Sequence, residues 1–241
     1  MSVHLAIDTA TEACSVAVSI DGATRERFEP MQREHTARLL PMIHAVLAEC
    51  DVAVGQLDGI ACGIGPGSFA GLRIGLGVVK GLALARDLPV VGVSSLAMLA
   101  QRAMRLGGAT QVVSVIDARM NEVYFGAFAR GADGLATPVL PEQVGPAEAV
   151  PALPVGPWLG AGTGWGRYEQ ALRAAVRQPV TAVDPGALPH AEDALDLALP
   201  RFRAGQVVSA DILAPAYLRD RVALTLAEQE ALRARNAKEA S

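Results

Sequence analysis

The chain has 241 residues, of which 51% are hydrophobic and 19% are charged, and its formal net charge at pH 7 is −4. This composition is sufficient for one large domain or two small ones. It argues against a broad basic surface that holds nucleic acid unaided, so any RNA would be met with help or at a small local patch. Three cysteines without a CxxC spacing indicate reduced thiols, and the N-terminus shows no secretion signal, so we expect a cytoplasmic protein.

The first half of the chain predicts three strands followed by a helix. Residues 3–20 indicate a strand that ends at Asp8, a polar turn and a second strand, and a third strand is expected near 24–28. A helix is predicted over 36–50. Its apolar arc, which we expect to be buried, comprises Leu39, Leu40, Ile43, Val46, Leu47 and Cys50. Its opposite, mildly polar side is a candidate contact surface and comprises Arg38, Met42, Ala45, Ala48 and Glu49.

The stretch over 62–87 joins a strand, a glycine-rich turn and an almost entirely apolar helix. The helix is predicted over 70–86, with Ser68 as its N-cap. Before the last turn, its only charges are Arg73 and Lys80, which fall on one narrow strip. These two charges and the short length of the run exclude a membrane span.

Four glycines in the interior of this helix need a physical reason. Gly71 and Gly75 share one face, and Gly77 and Gly81 share another about 120° away. Each glycine costs about 0.5–1 kcal/mol relative to alanine, and close approach of another backbone explains that cost. We therefore expect one face to meet the sheet and the other to meet a second helix, in this chain or in another. The alternative is an ordinary core helix of one domain.

The second half of the chain repeats the opening of the first. Ile116-Asp117 aligns with Ile7-Asp8, and both flanking strands align without a gap. The repeat predicts two related lobes, and the alternative is chance, because strand, aspartate, turn and strand is a common pattern. The expected boundaries are an N-terminal lobe over 1–108, a C-terminal lobe over 109–221 and a charged tail over 222–241 that is a solvated helix or disordered.

The remaining elements are predicted from shorter patterns. Further strands are expected over 90–93 and 158–161, and further helices over 94–105, 165–177 and 190–203. Prolines between 138 and 157 are expected to break any long element there. Together these elements predict an α/β fold with mixed sheets flanked by helices.

Most candidate chemistries find little support in the sequence. Gly65-x-Gly67-x-x-Ala70 satisfies a loose dinucleotide pattern, but strand 90–93 lacks the acidic residue that would hold a ribose. Ser68 lacks the flanking glycines of a nucleophile elbow, so a helix cap is the better interpretation. The four histidines show no HExxH spacing, and no bound metal is expected.

Asp8 and Asp117 are the best chemical hint. Each ends a strand at a turn, and carboxylates in paired turns can hold Mg²⁺ and face nucleotide phosphates across a cleft. The alternative is that each aspartate accepts hydrogen bonds from its own turn backbone.

Five motifs in order carry a resemblance to a known family. They are LAIDTATEACSVAV near the start, GPGSFAGLRIG with its helix ending in GLALA, VIDARMNEVY, GTGW at 162–165 and PAYLR at 215–219. With these motifs the chain resembles the TsaB family, also called YeaZ, over nearly its whole length to about Arg221. The resemblance implies an actin-like (ASKHA) fold with two ribonuclease-H-like lobes.

The resemblance also implies a function and partners. It points to a non-catalytic subunit of the machinery that makes threonylcarbamoyladenosine beside the tRNA anticodon. Such a subunit heterodimerises with the catalytic TsaD, is joined by the ATPase TsaE, and meets tRNA only through the complex. The HxxxH motif of TsaD is missing here, since His35 is followed four residues later by Leu39 and His44 by Ala48.

Two groups of site residues follow from the resemblance. The phosphate turns that would hold ATP or ADP with Mg²⁺ correspond to Asp8, Thr9, Thr11, Asp117 and Gly162. The methyl of Ala10 obstructs the first turn, where actin-like ATPases usually place a glycine. The expected partner interface, which would also form a homodimer when the partner is absent, comprises Met42, Ala45, Arg73, Gly77, Lys80, Gly81 and Leu84. The alternative function is an actin-like nucleotide-dependent enzyme that holds Mg-ATP between Asp8 and Asp117.

Overall fold

The structure is a computed structural model that describes residues 1–31 and 33–219. Its elements form two five-stranded mixed sheets flanked by helices. In the first half they are β1 Val3–Asp8, β2 Ala13–Ile20, β3 Ala23–Pro30, α1 His35–Glu49, β4 Gly59–Gly65, α2 Phe69–Leu84, β5 Val90–Ser94 and α3 Ser95–Gly107. In the second half they are β6 Gln111–Arg119, β7 Glu122–Arg130, β8 Ala136–Pro146, β9 Trp158–Ala161, α4 Thr163–Val176, β10 Val180–Asp184 and α5 Ala191–Arg203.

The two sheets have the same topology. Their strand orders are β3-β2-β1-β4-β5 and β8-β7-β6-β9-β10. In each sheet the first strand pairs antiparallel with the second and parallel with the fourth. Asp8 and Asp117 lie at corresponding ends of β1 and β6, opposite Ser15 and Val123. The repeat predicted from the sequence is therefore confirmed.

Each sheet is covered on one face by a helix from the other half of the chain. Successive side chains of β1 face opposite sides, so Leu5 packs with α1 and α2 while Ala6 packs with α5. Helix α3, from the first half of the chain, packs its Leu96 and Leu99 on the second sheet. Helix α5, from the second half, covers the first sheet and contacts α3. A boundary near residue 108 thus separates the strands of the two sheets but not their helices.

The chain after α5 forms a strap, residues 207–219, that runs from the first sheet to the second. Val208 pairs with Val90 of β5, and the Ala216 amide donates to the Ile64 carbonyl at 2.8 Å. At its end, the Arg219 guanidinium donates to the Ala118 carbonyl at 3.1 Å. The strap therefore ties the end of β4 to the β6–β7 turn.

Helix α1 is rotated relative to its predicted orientation. Met42 is only 2% exposed and packs in the core of the first lobe, whereas Leu40 is 50% exposed. The assignment of Met42 to the outer side of the helix and of Leu40 to the buried arc is wrong. Because α1 is apolar on most of its circumference, hydrophobic periodicity left its rotation undetermined.

Two strands were not predicted from the sequence: β8 in the proline-rich region and β10 after it. Strand β8 contains Pro138, Pro141 and Pro146, which the sheet tolerates because β8 is an edge strand with one unpaired side. The predicted charged tail lies outside the described residues. Within the described ranges, none of the helices has both the length and the hydropathy needed to cross a bilayer.

Candidate functional site

The glycine turn leads directly into α2, as the sequence predicts. The Ser68 side chain accepts a hydrogen bond from the Gly71 amide at 3.3 Å, which confirms Ser68 as the N-cap. The Ser68 amide in turn donates to the Ala10 carbonyl in the β1–β2 turn, at 2.6 Å. The start of α2 is therefore packed on the turn that follows β1.

The inner glycine face of α2 packs against that same turn. A Cβ atom added at Gly71 would lie 2.1 Å from the Thr9 carbonyl oxygen, and one at Gly75 would lie 2.5 Å from Thr9 Oγ1. The Thr9 hydroxyl donates to the Gly71 carbonyl at 2.8 Å. The predicted close approach of this face to the sheet is confirmed, and any side chain would prevent it.

The outer glycine face of α2 has no covering in the described chain. A Cβ atom added at Gly77 or Gly81 would find nothing within 4 Å. These glycines, with Arg73, Lys80 and the 64% exposed Leu84, form what we call the outer strip of α2. Beside it on the same sheet face lies α1, whose outward side presents Leu40, His44 and Ala48 as exposed residues and Ala45 as half-buried.

A cleft of about 1050 Å³ opens between the two lobes. Its walls come from the β1–β2 turn, the start of α2, the end of β6 and the strap. Glu12 of the first turn and Arg119 of the corresponding turn in the second lobe form an ion pair at this opening. The cleft is bordered by the two turns at which the sequence predicts phosphate binding, so its geometry tests that prediction.

Asp8 does not line this cleft. Its carboxyl is fully enclosed in the first lobe, where Oδ2 accepts the Ala10 amide at 3.3 Å and Oδ1 has no hydrogen-bond partner. A Cβ atom added at Gly63 of β4 would lie 1.9 Å from that Oδ1, so the strand backbone covers it. Burial raises the pKa of Asp8 to about 7, because an ionised carboxylate is poorly solvated there.

Asp117 does line the cleft, but other groups already satisfy it. Its carboxylate accepts the Arg119 amide at 2.9 Å and lies 3.6 Å from both the Arg119 and the Arg167 guanidinium. Its own amide donates to the Thr163 hydroxyl at 3.2 Å. Two arginines therefore neutralise the carboxylate that was expected to face Mg²⁺.

The other predicted phosphate-turn residues are divided between packing and the cleft. The hydroxyl and the carbonyl of Thr9 contact α2, as described above. Gly162 has a φ of +109°, and a Cβ atom there would lie 2.3 Å from the Val115 carbonyl, so it serves close packing within the second lobe. Thr11 lines the cleft, and its buried hydroxyl has no partner. Because only Thr11 and Asp117 of the five line the cleft, these residues do not fit a Mg-nucleotide held between Asp8 and Asp117.

His35 has a structural position at the same turn. It is 8% exposed, and its Nε2 lies 3.1 Å from the carbonyl oxygens of both Thr11 and Ala13. The ring thus braces the chain between β1 and β2. His44 lies on the exposed side of α1, away from this contact.

No role was predicted from the sequence for Phe69, Tyr217 and Arg219, which line the cleft. Phe69 and Tyr217 are 52% and 51% exposed, and their ring centroids are 6.2 Å apart. The Arg73 guanidinium lies 3.4 Å from the centroid of the Phe69 ring. The PAYLR motif was the only signal available for Tyr217 and Arg219, and nothing in it indicated that the strap crosses between the lobes.

Two duplicated lobes around a central cleft, with α3 and α5 exchanged between them, define the class of actin-like proteins. Residues 29–224 match the family model described as "TsaD: tRNA N6-adenosine threonylcarbamoyltransferase". The "tRNA threonylcarbamoyladenosine biosynthesis protein TsaB" of Escherichia coli is 42% identical over 224 residues, which cover 91% of this chain and 95% of that protein. The protein of the same name from Haemophilus influenzae is 41% identical and covers 90% and 94% of the two chains.

A solved structure described as YeaZ from Pseudomonas aeruginosa agrees with these relatives. It is 47% identical, covers 90% of this chain and 100% of its own, and superposes with a TM-score of 0.85. The chain therefore belongs to the TsaB (YeaZ) family, within the wider group that the transferase model describes. It is a homologue of proteins of tRNA threonylcarbamoyladenosine biosynthesis.

Proposed function

We propose that this chain is a non-catalytic subunit that binds and supports a TsaD-like threonylcarbamoyltransferase in the cytoplasm. The outer strip of α2 and the adjoining side of α1 contact the transferase, and a TsaE-like ATPase joins the pair. In this proposal tRNA is modified by the partner's active site. The contact residues are Ala45, Arg73, Gly77, Lys80, Gly81 and Leu84; Met42 is buried and cannot contact a partner.

The observation that carries the proposal is the open space over Gly77 and Gly81. Two interior glycines weaken a helix by about 0.5–1 kcal/mol each, and outside the neighbouring helix backbone no atom of the described chain lies within 4 Å of the position that a Cβ atom would take at either one. Gly71 and Gly75 of the same helix are explained by the Thr9 turn, so the outer pair is the part that needs a further contact. A helix of another chain laid across the strip supplies one, because glycine permits two helix backbones to approach closely.

The geometry at the turns supports a non-catalytic role. Asp8 is closed off by Gly63, Asp117 is paired with two arginines, and His35 braces a turn. These three side chains therefore have intramolecular contacts in place of a nucleotide or a metal ion, and Thr11 is left as the one predicted phosphate-turn residue that lines the cleft with a hydroxyl lacking a partner. For this reason we do not propose the Mg-ATP-dependent enzyme considered from the sequence.

The test measures the molar mass of the full chain by light scattering, alone and mixed with its transferase partner. Gly81→Arg fills the open space with a long charged side chain. Gly107→Arg is the matched control, because Gly107 is also an exposed glycine of a helix with nothing within 4 Å of its Cβ position, but it lies on α3. Circular dichroism before mixing establishes that both variants are folded.

We expect the wild-type chain and Gly107→Arg to be homodimers alone and heterodimers with the partner, and Gly81→Arg to form neither. An Arg variant at position 81 that still forms the heterodimer at the wild-type affinity would refute the assignment of the outer strip. So would a wild-type chain that stays monomeric under both conditions.

A further inference from the structure

The opening of the cleft has more positive charge than its own carboxylates compensate. Arg33, Arg73, Arg119 and Arg219 line the cleft, against Glu12 and Asp117. Arg119 pairs with Glu12, and Arg219 pairs with Glu122. Within the described residues, Arg33 and Arg73 form no ion pair with a carboxylate. Arg73 belongs to the outer strip, so Arg33 is the guanidinium group that stays available to an anion when the partner is bound, at a protein whose net charge is −4.

Two exposed aromatic rings lie at the same opening and are held in place. Phe69 is the first residue of α2, directly after the Ser68 cap, and the Arg73 guanidinium covers one face of its ring. Tyr217 lies on the strap between the anchored residues Ala216 and Arg219. Fixed, half-exposed rings next to unpaired arginines provide a surface for flat aromatic groups that carry negative charge nearby.

The inner wall of the cleft fits the same kind of group. Ile74, Ile116 and Tyr124 supply apolar surface there, and Thr11 contributes a hydroxyl without a partner. The volume of about 1050 Å³ is large enough to admit one unstacked base. Proteins that bind single strands combine stacking rings with cations along the backbone, which is the combination found here.

We infer that this opening binds single-stranded RNA, with a base stacked at Tyr217 and Phe69 and an adjacent phosphate on Arg33. The choice of RNA over DNA rests on the proposed function, and the remaining argument does not. The site differs from the phosphate turns predicted at Asp8 and Asp117, because it lies at the outer edge of the cleft and uses neither carboxylate. It places an RNA contact on this subunit itself, at a small local patch, whereas the family resemblance implies that tRNA is met only through the complex.

The experiment measures fluorescence anisotropy of a labelled oligouridine of about 12 nucleotides with the full-length chain at low salt. Tyr217→Ala removes the stacking ring, and Tyr217→Phe keeps it. Arg33→Ala removes a phosphate contact, and Arg25→Ala is its matched control, since Arg25 is an exposed arginine of β3 that does not line the cleft. Tyr217 and Arg33 are outside the outer strip, so these variants are separable from the test of partner binding.

We expect Tyr217→Ala to weaken RNA binding at least about fivefold, the lower end of base stacking, while Tyr217→Phe binds like the wild type. Arg33→Ala should weaken binding and reduce the slope of log affinity against log salt by about 0.7, whereas Arg25→Ala leaves both unchanged. Absence of binding, or binding that Tyr217→Ala and Arg33→Ala leave intact, overturns the inference.

Competition identifies the ligand class. We expect unlabelled oligouridine to displace the probe, and AMP or an acidic peptide to displace it only at much higher concentration. Equal displacement by AMP would reassign the opening to free nucleotides, and equal displacement by the peptide would reassign it to a protein segment. Light scattering on the same samples separates the two proposals: Tyr217→Ala and Arg33→Ala keep the heterodimer, and Gly81→Arg keeps RNA binding.

Discussion

Glu12 and Arg119 join corresponding turns of the two lobes, with Oε1 of one and Nη2 of the other 3.0 Å apart. Glu12 lies between β1 and β2, and Arg119 lies at the end of β6, the strand related to β1 by the repeat. Both side chains are largely exposed, at 49% and 70%. Exposed pairs are screened by solvent, so this contact joins the turns with little gain in stability.

The strap should stabilise the two-lobed arrangement more than the ion pair does. We expect Arg119→Ala to lower the free energy of unfolding by less than about 1 kcal/mol, as for exposed pairs. Arg219→Ala should cost more, because the Arg219 side chain is 18% exposed and its loss removes the hydrogen bonds to the Ala118 carbonyl and to Glu122. Urea denaturation of the two variants and the wild type measures the difference. Equal costs would show that the strap adds no more stability than the surface pair.

The two glycine faces of α2 should respond in opposite directions to alanine. Gly77→Ala should raise the free energy of unfolding by about 0.5–1 kcal/mol, because the methyl enters open space and the unfolded chain loses freedom. Gly71→Ala should lower it by about 1–3 kcal/mol, because its Cβ would lie 2.1 Å from the Thr9 carbonyl. Denaturation is measured at concentrations that keep the chain monomeric. A stabilised Gly71→Ala would mean that the Thr9 turn is looser than the structure indicates.

Asp8 should make stability depend on pH between about 4 and about 7. The folded state raises the pKa of this carboxyl from 3.8 to about 7, so in this window the folded chain retains a proton that the unfolded chain releases. The contribution of Asp8 is therefore greatest below pH 4. It falls by about 1.4 kcal/mol per pH unit as the pH rises to 7, and it is constant above that pH.

The comparison with Asp8→Asn isolates this contribution from Asp193, another buried carboxyl whose pKa is raised to about 6. The amide cannot ionise, so the variant should gain stability relative to the wild type as the pH rises through the window. Thermal unfolding of both proteins between pH 5 and pH 8 measures the difference. A constant difference would contradict the assignment of a raised pKa to Asp8.

Ser68 offers a test of its role as a cap. Ser68→Ala removes the acceptor for the Gly71 amide and should lower the free energy of unfolding by about 1 kcal/mol. Heterodimer formation should persist, because the outer strip begins further along the helix. Measurements of unfolding and of molar mass on one preparation provide both results. A variant of unchanged stability would contradict the assignment of Ser68 as a stabilising cap.

Several of these features were predictable because they depend on short stretches of chain. The cap at Ser68 was predictable because a serine directly before an apolar run is a common N-cap. The assignment of the four α2 glycines to two faces required only the helical spacing. The lobes were predictable from two strand–aspartate–turn patterns that align without a gap. The rotation of α1 was not, because both sides of that helix are apolar enough to be buried and only the packed sheet selects Met42 over Leu40.

The sequence by itself determined the repeated strands, the two glycine faces and the family, because strand periodicity, helical spacing and motifs are local properties of the chain. The tertiary structure alone decided that the backbone at Gly63 encloses Asp8, and that α3 and α5 each pack on the sheet of the other half of the chain. It also decided that Arg33, Phe69 and Tyr217 line the same opening. These relationships join residues far apart in the chain. They arise from the packing of two lobes and a strap, which no local pattern records.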